Sequence, residues 1–123
     1  RSSDLYWKRR KRMMFEIKVK DTFIELEELL LRKHQDYGPK NISEAPGGAM
    51  NGLLVRMHDK MARLKNLTYI KHGAEPNYES IEDTLKDLAN YAVIGLLVQR
   101  GQWDKEDNDT LLNEAIKIWN KQL

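Results

Sequence analysis

The sequence predicts an all-α fold, a small bundle of about four helices with a long Gly/Pro loop between the first two. Apolar residues recur at three- and four-residue spacing in four separate stretches, the signature of amphipathic helices. Those stretches are divided by Gly38-Pro39, by Gly73 with Pro76, and by Gly101, residue types that end helices. Period-two alternation is confined to Phe15, Ile17 and Val19, and one strand without a partner reads better as an extended lead-in or a helix start. The 123 residues suit one domain with one core. With no Cys, neither a disulfide framework nor a thiolate metal site is available. No apolar run approaches the ~18 residues of a membrane span, so no membrane partner is expected.

The basicity belongs to one end. The chain carries +2 overall and +6 over its first twenty residues, so the remainder carries −4. The chain does not begin with Met, and Met13 or Met14 would make a natural start. Residues 1–13 are therefore expected to be a basic arm, solvated, disordered or non-native, ahead of a helical domain at 14–123. Its Lys and Arg beside Tyr6 and Trp7 are also the composition of a DNA contact.

The first helix is expected from a cap at Asp21 or Thr22 to about Gln35, with Phe23, Leu26 and Leu30 inward and Ile24 and Leu31 beside them. Glu25 and Glu28, at i,i+3, share a face. Residues 38–52 then read as a loop rich in Gly and Pro. It is not a P-loop, since no Gly-Lys-Ser/Thr follows. Its glycines suit either plain flexibility or a backbone N–H nest for an anion. A second helix is expected over about Met50 to Ile70, with Leu53, Leu54, Met57, Met61, Leu64 and Leu67 as its apolar stripe. Arg56, Asp59, Lys60 and Arg63 lie opposite, as a solvated face or as a cationic wall.

The third helix, from Glu79 to near Gly101 after a turn at 71–77, has two unlike faces. Glu79, Asp83, Asp87 and Asn90 form one stripe. Ile81, Leu85, Leu88 and Ala92 form another that looks like core, and the stretch from Asn90 to Val98 is almost wholly apolar. Like charges at i,i+4 repel, so a cation must offset Asp83 and Asp87, either a basic side chain or a divalent metal. A polar linker at 104–109 leads to a last helix over about Asp109 to Gln122, with Leu111, Leu112, Ala115, Ile118 and Trp119 inward.

Nucleophilic catalysis is poorly supported, because Cys, Gly-x-Ser-x-Gly and a spaced Ser/His/Asp set are all absent. His34, His58 and His72 lack metal-ligand spacing and read as surface residues. Carboxylates on helices remain. Mg²⁺, with Mn²⁺ as its substitute, takes oxygen ligands, often a few carboxylates plus substrate phosphates. Glu25 and Glu28 with Glu79, Asp83 and Asp87 could supply such a site.

Three ordered blocks resemble a known family. Lys33-His-Gln-Asp36-Tyr37-Gly38-Pro-Lys-Asn41, Gly52-Leu-Leu-Val-Arg56-Met-His-Asp59-Lys60-Met-Ala-Arg63-Leu, and Glu79-Ser80-Ile-Glu-Asp83-Thr-Leu-Lys-Asp87-Leu-Ala-Asn90-Tyr91-Ala look like the phage and bacterial nucleotide-modification-associated domain of the first type. The match covers about residues 22–103 and implies a helical, nucleotide-handling domain, cytoplasmic in a bacterial host. A more distant similarity is to MazG-like all-α nucleoside triphosphate pyrophosphatases, with Glu-x-x-Glu and Glu-x-x-Asp pairs around Mg²⁺. Glu25-x-x-Glu28 fits the first pair. Three before Asp87 stands Thr84, so Asp83 would have to substitute.

Two readings follow. In one, Asp83 and Asp87 are catalytic in Mg²⁺-dependent cleavage of a (deoxy)nucleoside triphosphate to monophosphate and pyrophosphate. Arg56, Lys60 and Arg63 would neutralise phosphates, Tyr37 or Tyr91 would border the base, and Asn41 or Asn90 would hydrogen-bond to it, with Asp36 in the same block. In the other, the protein is a phage accessory that binds nucleotide, DNA or a host protein without turnover, and the Asp–Arg contacts are structural. The apolar second half of the third helix predicts a homodimer.

Overall fold

The computed structural model describes residues 2–70, 78–104 and 109–122, with side chains left out at 70, 78, 79 and 109–111. The described residues are all-helical and contain no strand. The elements are α1 (Ser2–Tyr37), α2 (Lys40–Ser43), α3 (Ala49–Lys65) with a π-helical turn at Asn66–Ile70, α4 (Tyr78–Gln99) and α5 (Asp109–Gln122). The expected turn at 71–77 and most of the expected linker at 104–109 lie outside the described residues.

α1 is longer than its apolar pattern suggests. No Gly or Pro occurs before Gly38, so nothing in the backbone stops a helix that starts at Ser2. Phe15 to Val19 is part of that helix. Asp21 and Thr22 are interior rather than caps, and the Thr22 hydroxyl donates back to the Lys18 carbonyl at 2.8 Å. Every side chain from Ser2 to Lys18 is exposed. Arg12 and Glu16 pair across one turn at 3.5 Å, an exposed contact worth a few tenths of a kcal/mol. α1 ends where Gly38 takes φ +68°, a conformation costly for a residue with a Cβ.

The segment expected as one loop holds α2 and three positive-φ glycines, Gly38, Gly47 and Gly48, before α3 begins at Ala49. The buried core is small: Ile42 of α2, Leu53 of α3 and Ile94 of α4, with Leu30, Ala49, Tyr91, Val98 and Trp103 packed against it. α3 and α4 pack along much of their length, and α1 meets α4 around Leu26 and Leu30. A Cβ on Gly52 would lie 2.5 Å from the Ala45 Cβ, so only glycine lets α3 approach the chain before it this closely.

The expected core stripe holds in part, since Ile81 and Leu88 are half-buried, but the most buried side of α4 carries polar residues. Thr84 and Asn90 are buried, Asp87 and Tyr91 are half-buried and Ile94 is buried, at three- and four-residue steps. Leu85, Ala92, Val93 and Leu96 are exposed, so the second half of α4 is not enclosed on all sides within the chain. α1 and α3 cover two sides of α4 and leave the third open. Phe23, Ile24 and Leu31 on α1, Leu54 and Met61 on α3, and Leu112, Ala115, Ile118 and Trp119 on α5 are likewise exposed, while the Leu111 side chain lies outside the description.

Candidate nucleotide cavity

Three helices meet at one carboxylate. Asp87 of α4 accepts from Lys33 Nζ of α1 at 2.7 Å through Oδ1, and from Lys60 Nζ of α3 at 2.8 Å through Oδ2. Partial burial pushes its pKa up, but the hydrogen bonds and charges of the two lysines outweigh that and hold it below the usual carboxylate value. The cations that offset Asp87 are therefore Lys33 and Lys60.

The triad stands between two cavities. The first, about 270 Å³, is bounded by Lys33, His34, Tyr37, Asn41, Arg56, Lys60, Asp87, Asn90, Tyr91 and Trp103, with Leu30, Gly38, Ile42 and Ile94 among its other walls. The second, about 350 Å³, is bounded by Leu29, Lys33, Lys60, Arg63, Asp83, Thr84 and Asp87. Lys33, Lys60 and Asp87 line both. The first is aromatic and amide-rich, and the second is charged.

Local structure positions these side chains. Gly38 turns the chain at the end of α1, which sets Tyr37 and Asn41 on opposite sides of the bend. Arg56 is steadied by donating from Nη2 to the Asn41 carbonyl at 3.2 Å. Asn90, 7% exposed, donates to the Leu26 carbonyl at 3.2 Å and so braces α4 against α1 beside the cavity. Beyond α4 the chain folds back: the Trp103 indole N–H donates to the Pro39 carbonyl at 3.2 Å, and its ring meets His34 edge-on at 5.0 Å. Asp104 locks this return. It accepts from the Ser43 hydroxyl and pairs with Lys40 at 3.3 Å. The Ser43 hydrogen bond, opposed by desolvation and aided by Lys40, holds the Asp104 carboxyl below its ordinary pKa.

Of the residues expected to bind substrate, Tyr37, Asn41, Arg56, Lys60, Asn90 and Tyr91 share the first cavity, and Arg63 lines the second. Asp36 is exposed and lines neither. Arg56 shares a cavity with Asp87, and Arg63 shares one with both Asp83 and Asp87. Of the residues expected to hold a metal, Asp83 and Asp87 share the second cavity. Glu25 pairs with Lys86 at 2.5 Å, Glu28 is exposed, and Glu79 lies outside the residues whose side chains are described. The Lys86 ammonium pKa is raised, chiefly by its hydrogen bond to Glu25. Among the described residues no three His, Asp or Glu side chains are grouped to hold a metal. With two ammonium groups on Asp87, this donor set does not fit Mg²⁺.

Lys33, His34 and Trp103 are site residues that the sequence reading did not single out. Lys33 and His34 sit inside the first of the three ordered blocks, which was the available signal. Trp103 lay past the end of a helix, where spacing says nothing about its direction.

No family model matches the chain, and no curated protein or solved structure matches it either.

Proposed function

We propose that this protein binds a nucleoside phosphate, with the base in the aromatic and amide-lined cavity and the phosphate toward the charged one. The observation that carries the reading is the junction of the two cavities. Tyr37, Tyr91 and Trp103 offer ring surface and Asn41 and Asn90 offer amides on one side; Lys33 and Lys60 stand at the junction, and Arg63 adds positive charge on the other. Combined volumes of this size are those of small-molecule sites. The resemblance to nucleotide-modification-associated domains supports the same ligand class and a phage or bacterial, cytoplasmic setting.

The second reading is Mg²⁺-dependent pyrophosphohydrolysis of a (deoxy)nucleoside triphosphate. It is favoured by Asp83 and Asp87 lying together on one cavity wall. It asks Asp87 to exchange its two lysines for a metal, so binding without turnover is the stronger reading.

Association into a homodimer belongs to this proposal. Leu85, Val93 and Leu96 of α4 and Leu54 and Val55 of α3 are exposed, and a second copy would cover them. The basic first half of α1 suits contact with a DNA backbone.

The test is a panel of nucleoside mono-, di- and triphosphates, with chelator, Mg²⁺ or Mn²⁺, reading heat of binding, pyrophosphate and phosphate separately. Saturable binding in chelator without product supports the first reading. Metal-dependent pyrophosphate release supports the second, and no binding under any condition removes both.

A further inference from the structure

We propose that Asp87 is an internal stand-in for the ligand's phosphate: its carboxylate holds Lys33 and Lys60 in place, and an incoming phosphate displaces it from them. This rests on the nucleoside-phosphate reading above. Each Asp87 oxygen takes one ammonium, Lys33 at 2.7 Å and Lys60 at 2.8 Å, as two oxygens of one phosphate group would. Both lysines line both cavities, so a ligand can reach them from either. Lys33 has 47% and Lys60 27% of its side chain exposed, against 16% for Asp87, so both lysines are more open to solvent than the carboxylate they hold. Arg63 lines the cavity beside them and adds positive charge.

The energetics favour exchange. Without Asp87, two lysines from different helices would repel across the cleft and lose their common position. With it, they stay in place, while the carboxylate competes with the ligand for the same donors, and that competition outweighs the ordering it supplies. A phosphate dianion carries more charge than the carboxylate and adds Arg63, so it wins when present. Asp87 then swings off the lysines toward solvent without any bond being made or broken.

The stand-in role and a metal-ligand role predict opposite effects of one substitution. Titration calorimetry on the full chain, in chelator, uses two probes, inorganic phosphate and thymidine monophosphate. D87N keeps the side-chain shape and removes the competing charge, and is expected to bind both probes about tenfold more tightly. K33M, at an exposed position that tolerates change, is expected to bind both about tenfold more weakly. D87N with native helical content and equal or weaker phosphate affinity overturns the proposal. Should D87N fail to fold, K33M with unchanged phosphate affinity overturns it alone. Tighter phosphate binding by D87N, with no gain from the nucleoside, keeps the stand-in and removes the nucleoside reading. Nucleotide binding by the wild type with no gain in D87N does the reverse.

Discussion

The Trp103 indole N–H reaches the Pro39 carbonyl at 3.2 Å, joining residues 64 apart in the chain at the rim of the aromatic cavity. Pro39 is the residue after the α1 stop, and Trp103 follows the end of α4. One hydrogen bond thus ties both helix ends to the same cavity wall. W103A should lower unfolding free energy by about 1–3 kcal/mol, because the site is half-buried and the ring also packs on Ile42, Leu53 and Ile94. W103F should recover part of that. Urea denaturation of the two variants measures the difference.

Helix approach gives a sharper contrast between two glycines. G52A places a Cβ 2.5 Å from that of Ala45, so it should destabilise by about 1–3 kcal/mol despite the gain in helix propensity. G95A meets nothing nearer than a Leu53 methyl at 3.9 Å and should be neutral or stabilising by up to ~1 kcal/mol. Equal melting shifts for the two would contradict the packing described at Gly52.

Acid should loosen the molecule through Asp87 and Asp104. Both have folded pKa values depressed below their unfolded ones, so their contribution is fully present above the ordinary carboxylate range and is lost as pH falls through the folded values. The expected window therefore lies below about pH 4. D104N should lower the melting temperature at pH 7, where the contribution is fully present, and flatten part of the pH dependence below about pH 4. A D104N curve that runs parallel to the wild type through that window would contradict the assignment.

The first half of α1 should be dispensable for folding. Side chains from Ser2 to Lys18 are all exposed, so a chain beginning at Met14 gives up almost no buried area. Its melting temperature should stay within about 3 °C of the full chain. A larger fall would mean that Trp7 or Leu5 is buried in solution, as a second copy covering α1 would do.

Much of the helical order was legible because it depends on local signals. The α3, α4 and α5 spans agree with the periodic stretches to within a few residues, and Gly38 ends α1 where a left-handed residue is needed. The start of α1 was not legible, since charged residues such as Lys8 to Arg12 carry no apolar period yet are good helix formers. The inward face of α4 was legible only in part, Ile81 and Leu88 but not Leu85 and Ala92, for a physical reason. Thr84, Asp87 and Asn90 are satisfied by Ser80, two lysines and Leu26, so polar residues can be buried where hydropathy alone points outward. Lys33 could not be matched to Asp87 from spacing, because the pairing is tertiary and spans 54 residues.

The most direct measurement is a titration of the three tryptophan indole N–H signals, assigned by W7F, W103F and W119F, with thymidine monophosphate in chelator. Trp103 borders the cavity, whereas Trp7 and Trp119 are exposed and outside it. The nucleoside-phosphate account predicts a saturable shift of the Trp103 signal, with the other two unmoved, and loss of that shift in R56M. Shifts confined to Trp7, or none at millimolar nucleotide, would contradict it.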